Sequence, residues 1–66
     1  MLDNSSYNKI KLLQTLCSLD WFIEKHALKD AQASGDIDFQ DSLASLQQDL
    51  RRHVERVRGM VCTITQ

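Results

Sequence analysis

Apolar side chains recur at steps of four and three toward the end of the chain: Phe39, Leu43, Leu46, Leu50, Val57, Met60 and Ile64, with His53 in the same seam. An earlier seam, Leu12, Leu16, Leu19, Ile23 and His26, has the same period. Apolar residues spaced this way line one side of an α-helix, so the pattern predicts helices rather than strands. Ser34-Gly35-Asp36 is the one obvious breaker between the two seams. The spacing predicts helix 1 over about residues 5–33, a turn over about 34–37 and helix 2 over about 38–62. That is a single all-α domain spanning residues 1–66, an antiparallel helical hairpin of two long helices.

The ends of the helices carry their own signals. Asn4, Ser5 and Ser6 are candidates to cap helix 1, because their side-chain oxygens accept from amides that the first turn leaves unpaired. Gly35 suits the left-handed conformation that closes a helix. Asp36 or Asp38 would cap helix 2, and Asp38 and Asp41 complement its positive end, while Arg51, Arg52, Arg56 and Arg58 follow toward the negative end. Beyond Gly59 the β-branched residues Val61, Thr63, Ile64 and Thr65 are expected to fray.

Helix 1 is apolar on more than one side. Leu12, Leu13, Leu16, Leu19, Ile23, Ala27 and Ala31 form a broad face, Ile10, Cys17, Trp21 and Leu28 form a stripe beside it, and Phe22 lies on the opposite flank. One partner helix cannot cover this much. Leaving Trp21 and Phe22 in water forfeits roughly 1.5–3 kcal/mol for each large side chain. A chain of 66 residues also buries too little to be comfortably stable as a lone helix pair. The expected remedy is a homodimer in which two hairpins form a four-helix bundle, or else a complex with a helical protein partner. Leu16, Leu19, Ile23, Leu46, Leu50 and Val57 are the expected hairpin core. Ile10, Cys17, Trp21, Phe22 and Leu28 are the expected interaction surface.

Composition narrows the function classes. Hydrophobic residues make up 42% of the chain, which argues against disorder. The formal net charge of −1 supplies no overall attraction to nucleic acid or an anionic membrane. No segment approaches the roughly 20 apolar residues that a membrane span needs. Leu12 to Ile23 superficially resembles a signal peptide but contains Gln14, Thr15, Ser18 and Asp20, so a cytoplasmic location is the expectation. Cys17 and Cys62 have no zinc-site spacing and lie out of register for an intrachain disulfide. No Gly-rich phosphate loop or nucleophile in a catalytic context occurs, so an enzyme is not expected. Arginine suits phosphate recognition, and an RNA-binding hairpin dimer is a third reading; however, Asp49 and Glu55 interleave with the arginines, as on an ordinary solvated face.

The inner polar residues offer the sharpest chemistry. In a hairpin turning near Gly35, facing residues have numbers totalling about 72, which sets Asp20 opposite His53 and Glu24 opposite Asp49. His26 lies in the same seam, nearer the turn. Carboxylates and imidazoles projecting inward from facing helices are how bundles hold iron, manganese or zinc. The simpler alternative needs no cofactor: a buried Asp20–His53 hydrogen bond that fixes helix register.

Asp20-Trp21-Phe22, Glu24-Lys25-His26, Gly35-Asp36 and Asp49-Leu50-Arg51-Arg52-His53 together resemble the helix pairs of hemerythrin-like and ferritin-like iron proteins. The resemblance implies a metal-binding bundle with ligands among Asp20, Glu24, His26, Asp49 and His53. His26 and His53 are the two that match hemerythrin-like ligand positions. Leu50 stands where a ferritin-like Glu-x-x-His has its glutamate, and Val57 where a hemerythrin-like pair has one. The leading expectation remains a small non-catalytic interaction or regulatory module acting through self-association.

Overall fold

The computed structural model describes residues 3–64, with side chains as far as Thr63. Helix α1 covers Asn4–Phe22, a π-helical turn covers Ile23–Ala27, α2 covers Leu28–Ser34, and α3 covers Ile37–Ile64. The first three run on as one arm, and α3 returns beside it as an antiparallel helical hairpin 48 × 17 × 15 Å in extent. Among the described residues there is no strand.

The cap of α1 is Asp3, not Asn4, Ser5 or Ser6. Its Oδ1 accepts from the Ser6 backbone N–H at 2.7 Å, and its carbonyl accepts from the Tyr7 N–H at 3.0 Å. The Ser6 backbone amide, helped by the Ser6 hydroxyl, holds the Asp3 carboxyl below its ordinary value of 3.8 against an opposing effect of desolvation, with Lys9 the weakest contributor. A depressed carboxylate stabilises the fold above its unfolded pKa, and that stabilisation disappears as pH falls through the folded value. The protection of the Ser6 and Tyr7 amides, taken relative to the intrinsic exchange rate at each pH, should therefore fall in acid below pH 3.8, and Asp3→Asn should remove this loss.

The turn ends the first arm with a pair of nested backbone bonds. Gly35 N–H donates to the Gln32 carbonyl at 3.2 Å, and Asp36 N–H donates to the Ala31 carbonyl at 3.0 Å. This Schellman arrangement requires a left-handed residue, which Gly35 supplies at φ 72°. Asp36 then caps α3, its Oδ1 accepting from the Phe39 N–H at 3.2 Å. Gly59, by contrast, sits within α3, and nothing lies within 4 Å of an added Cβ at either glycine. One substitution should therefore act in opposite directions. Gly35→Ala should cost about 1–2 kcal/mol, because an L-residue is strained in this conformation. Gly59→Ala should stabilise by about 0.5–1 kcal/mol by raising helix propensity. Urea unfolding followed by circular dichroism measures both. α3 continues past Gly59 to Ile64, with Thr63 Oγ1 donating to the Met60 carbonyl at 2.7 Å, and Thr65 of the stretch expected to fray lies outside the described residues.

The core is narrow. Ile23, Ala31, Leu43, Leu50, Val54 and Val57 are buried together with Gln47, and Leu13, Leu16, Cys17, Ala27 and Leu28 pack partly against them. Of the expected core, Ile23, Leu50 and Val57 are inside and Leu16 is half-buried, but Leu19 and Leu46 are exposed. The reason is rotational. On a helix, residues seven apart fall almost on one line, and α3 offers three adjacent lines: Phe39/Leu46/His53/Met60, Leu43/Leu50/Val57 and Gln47/Val54/Val61. The sequence seam combines the first two. The structure turns the last two toward the first arm, leaving Phe39, Leu46 and Met60 outside.

The π turn is the other departure. Leu28 N–H donates to the Ile23 carbonyl, five residues back. The inserted residue sets back the phase of α2 by about 100° relative to an unbroken helix. That shift brings Leu28 in beside Ala27 and Ala31 instead of leaving it on an outer stripe with Trp21.

Candidate functional site

Three features of the surface offer chemistry: a polar clasp between the arms, an aromatic knuckle at the π turn, and the uncovered Phe39/Leu46/Met60 line of α3.

The clasp joins an i, i+4 pair on the first arm to an i, i+4 pair on α3. Gln47 is buried and its Nε2 donates to Asp20 Oδ1 at 3.1 Å and to Glu24 Oε2 at 2.7 Å. Arg51 lies one turn further along. Its Nε donates to Asp20 Oδ1 at 3.2 Å and Oδ2 at 3.3 Å, and its Nη2 donates to Glu24 Oε2 at 3.3 Å. The half-exposed ion pairs are individually weak. A hydrogen bond from a buried amide to a charged acceptor is worth more, about 1.5–3 kcal/mol, so Gln47 carries most of the register specificity.

The expected pairs Asp20–His53 and Glu24–Asp49 are therefore corrected to Asp20–Arg51 and Glu24–Gln47. The facing register was close, but a displacement of two residues along α3 is about 200° of rotation, which carries Asp49 and His53 away from the first arm. Asp49 instead contacts Arg52 within its own helix, and His53 is exposed between Arg52 and Arg56. His26 is exposed at the π turn. Among the described residues no three or more of the His, Cys, Asp and Glu side chains are grouped to hold a metal ion. The five candidate ligands thus point in three directions, with both inner carboxylates occupied by protein donors. Cys17 and Cys62 form no disulfide. The readable signal for the clasp was the matching i, i+4 spacing of Gln47 and Arg51 opposite Asp20 and Glu24.

The knuckle is built by the π turn. Trp21 and His26 are five residues apart, about 140° on a regular α-helix, and their rings would diverge. With the wider turn between them, the Trp21 and His26 ring centroids are 5.0 Å apart at 69°, and those of Phe22 and His26 are 6.1 Å apart at 34°. Trp21 remains 58% exposed and Phe22 50% exposed. The expected interaction surface is thus split. Trp21 and Phe22 are outside, Ile10 is half-buried, and Cys17 and Leu28 pack partly against the hairpin's own core.

The apolar line was not anticipated as surface. Phe39, Leu46 and Met60 share it on α3, with His53 between them, and Leu12 and Leu19, also seven apart, form a line on α1. Both lines border the buried strip on the edge away from Glu24 and Arg51, so they lie side by side on one flank of the hairpin. No protein-family model matches this chain, and neither the curated proteins nor the solved structures contain a significant match to it. No described helix is long and apolar enough to cross a membrane.

Proposed function

We propose that the chain is a non-catalytic interaction module that acts by self-association, two hairpins stacking flank to flank into a four-helix bundle. The observation that carries this reading is the choice of buried lines on α3. The hairpin covers Gln47, Val54 and Val61 and leaves the more apolar Phe39, Leu46 and Met60 in water. A helix inside a bundle uses three such lines, two against one neighbour and a third against the next.

Area points the same way. The chain exposes 5034 Å². A compact protein of its 7.6 kDa mass would expose about 4,300 Å². The surplus of about 700 Å² is close to the roughly 800 Å² that each partner contributes to a standard interface. The split metal candidates favour this reading over an iron, manganese or zinc bundle, since Asp20 and Glu24 are engaged by Gln47 and Arg51. Sedimentation of the wild-type chain across the micromolar range tests the proposal. A concentration-dependent dimer is the expected result. A species that stays monomeric and fully helical throughout removes it.

A further inference from the structure

The two ends of the hairpin carry opposite charge. Around the turn, Asp30, Asp36, Asp38 and Asp41 outnumber the single cation Lys29. At the open end, Lys9, Lys11, Arg56 and Arg58 outnumber Asp3 and Glu55. Within one chain these two groups of charge lie at least about 22 Å apart along the helices, given a rise of about 1.5 Å per residue, beyond a Debye length of about 8–10 Å in physiological salt. They therefore contribute little to holding the hairpin together. Brought alongside another copy, the same charges act at short range.

We infer that the second copy packs on the apolar flank in reversed orientation, its acidic turn beside the basic open end of the first. This deepens the self-association reading and rests on it. Flank-to-flank stacking with two-fold symmetry allows two arrangements, with the turns at the same end or at opposite ends. With turns together, acid meets acid at one end and base meets base at the other. With turns apart, each end meets its complement, and symmetry makes the gain twice. The apolar flank supplies affinity without choosing between the two, since Leu12, Leu19, Leu46 and Met60 are distributed along the rod. Rim charge makes the choice, as it does where complementary potentials fix the register of an interface.

Charge reversal reads out the orientation directly. Asp30→Lys with Asp38→Lys inverts the turn end beside the apolar flank, and Lys11→Glu with Arg56→Glu inverts the open end. All four residues are exposed, and among the described residues none of their side chains forms an ion pair. The dimer dissociation constant of each variant is measured by sedimentation at low salt, with far-UV circular dichroism confirming unchanged helicity. Each double reversal is expected to weaken the dimer by about tenfold. The chain carrying all four substitutions should associate more tightly than either double variant, and added salt should weaken the wild-type dimer. Tighter association of the double variants places the turns together and overturns the inference, as does a dissociation constant that ignores reversal. A wild-type chain that never dimerises defeats the underlying self-association reading instead, so the two failures are told apart.

Discussion

Ile23→Ala should unfold most of the chain at room temperature. Ile23 is only 1% exposed and is the largest fully buried side chain described. It packs at the junction where α1 passes into the π turn, in one cluster with Ala31, Leu43, Leu50 and Val54. Truncating a buried isoleucine to alanine costs about 2–5 kcal/mol, through lost transfer energy and the cavity left behind. A single small core of this size rarely supplies more than about 3–5 kcal/mol in total. The mutation therefore removes much or all of the margin. Ile23→Val, which deletes one methyl group, should cost only about 0.5–1.5 kcal/mol and leave a folded protein. Thermal unfolding followed by circular dichroism measures both. If Ile23→Ala melts within a few degrees of wild type, Ile23 does not anchor the core as placed.

The site of that anchor shows what the sequence could and could not convey. Two helices, the reversal at Gly35 and an aspartate cap at Asp36 follow from local rules that need no knowledge of packing. Periodicity also located the apolar arc of α3, but an arc has width, and its centre is set by the neighbour it meets. Leu43, Leu50 and Val57 lie on both the expected and the observed strip. The second line went to Gln47, Val54 and Val61 because Gln47 brings two donors to Asp20 and Glu24. Read singly, a glutamine looks like solvent, and apolar periodicity alone selects Phe39, Leu46 and Met60 instead of its line. The π turn left no propensity signature at all. Ile23-Glu24-Lys25-His26-Ala27 is an ordinary helical string, and its extra residue becomes useful only once Leu28 has a core to join.

The same rotation makes Leu46 the most informative surface residue. Leu46→Glu should leave the helicity of the chain nearly intact, because the leucine is already 46% exposed within one hairpin. In a flank-to-flank dimer the outcome differs. Two symmetry-related leucines leave the interface, each worth about 1.5–3 kcal/mol when buried. Two carboxylates must also either lose water without a partner or hold the flanks apart. Association should fall by at least about a hundredfold, equivalent to about 2.7 kcal/mol. Trp21→Ala is the matching control, because Trp21 projects from the knuckle and lies away from the Leu12/Leu19 and Leu46/Met60 lines. It should change the dissociation constant by less than about threefold. The reverse pattern, with Trp21→Ala dissolving the dimer and Leu46→Glu leaving it intact, would move the interface to the π turn. In that case the Phe39/Leu46/Met60 line of α3 would have no part in assembly.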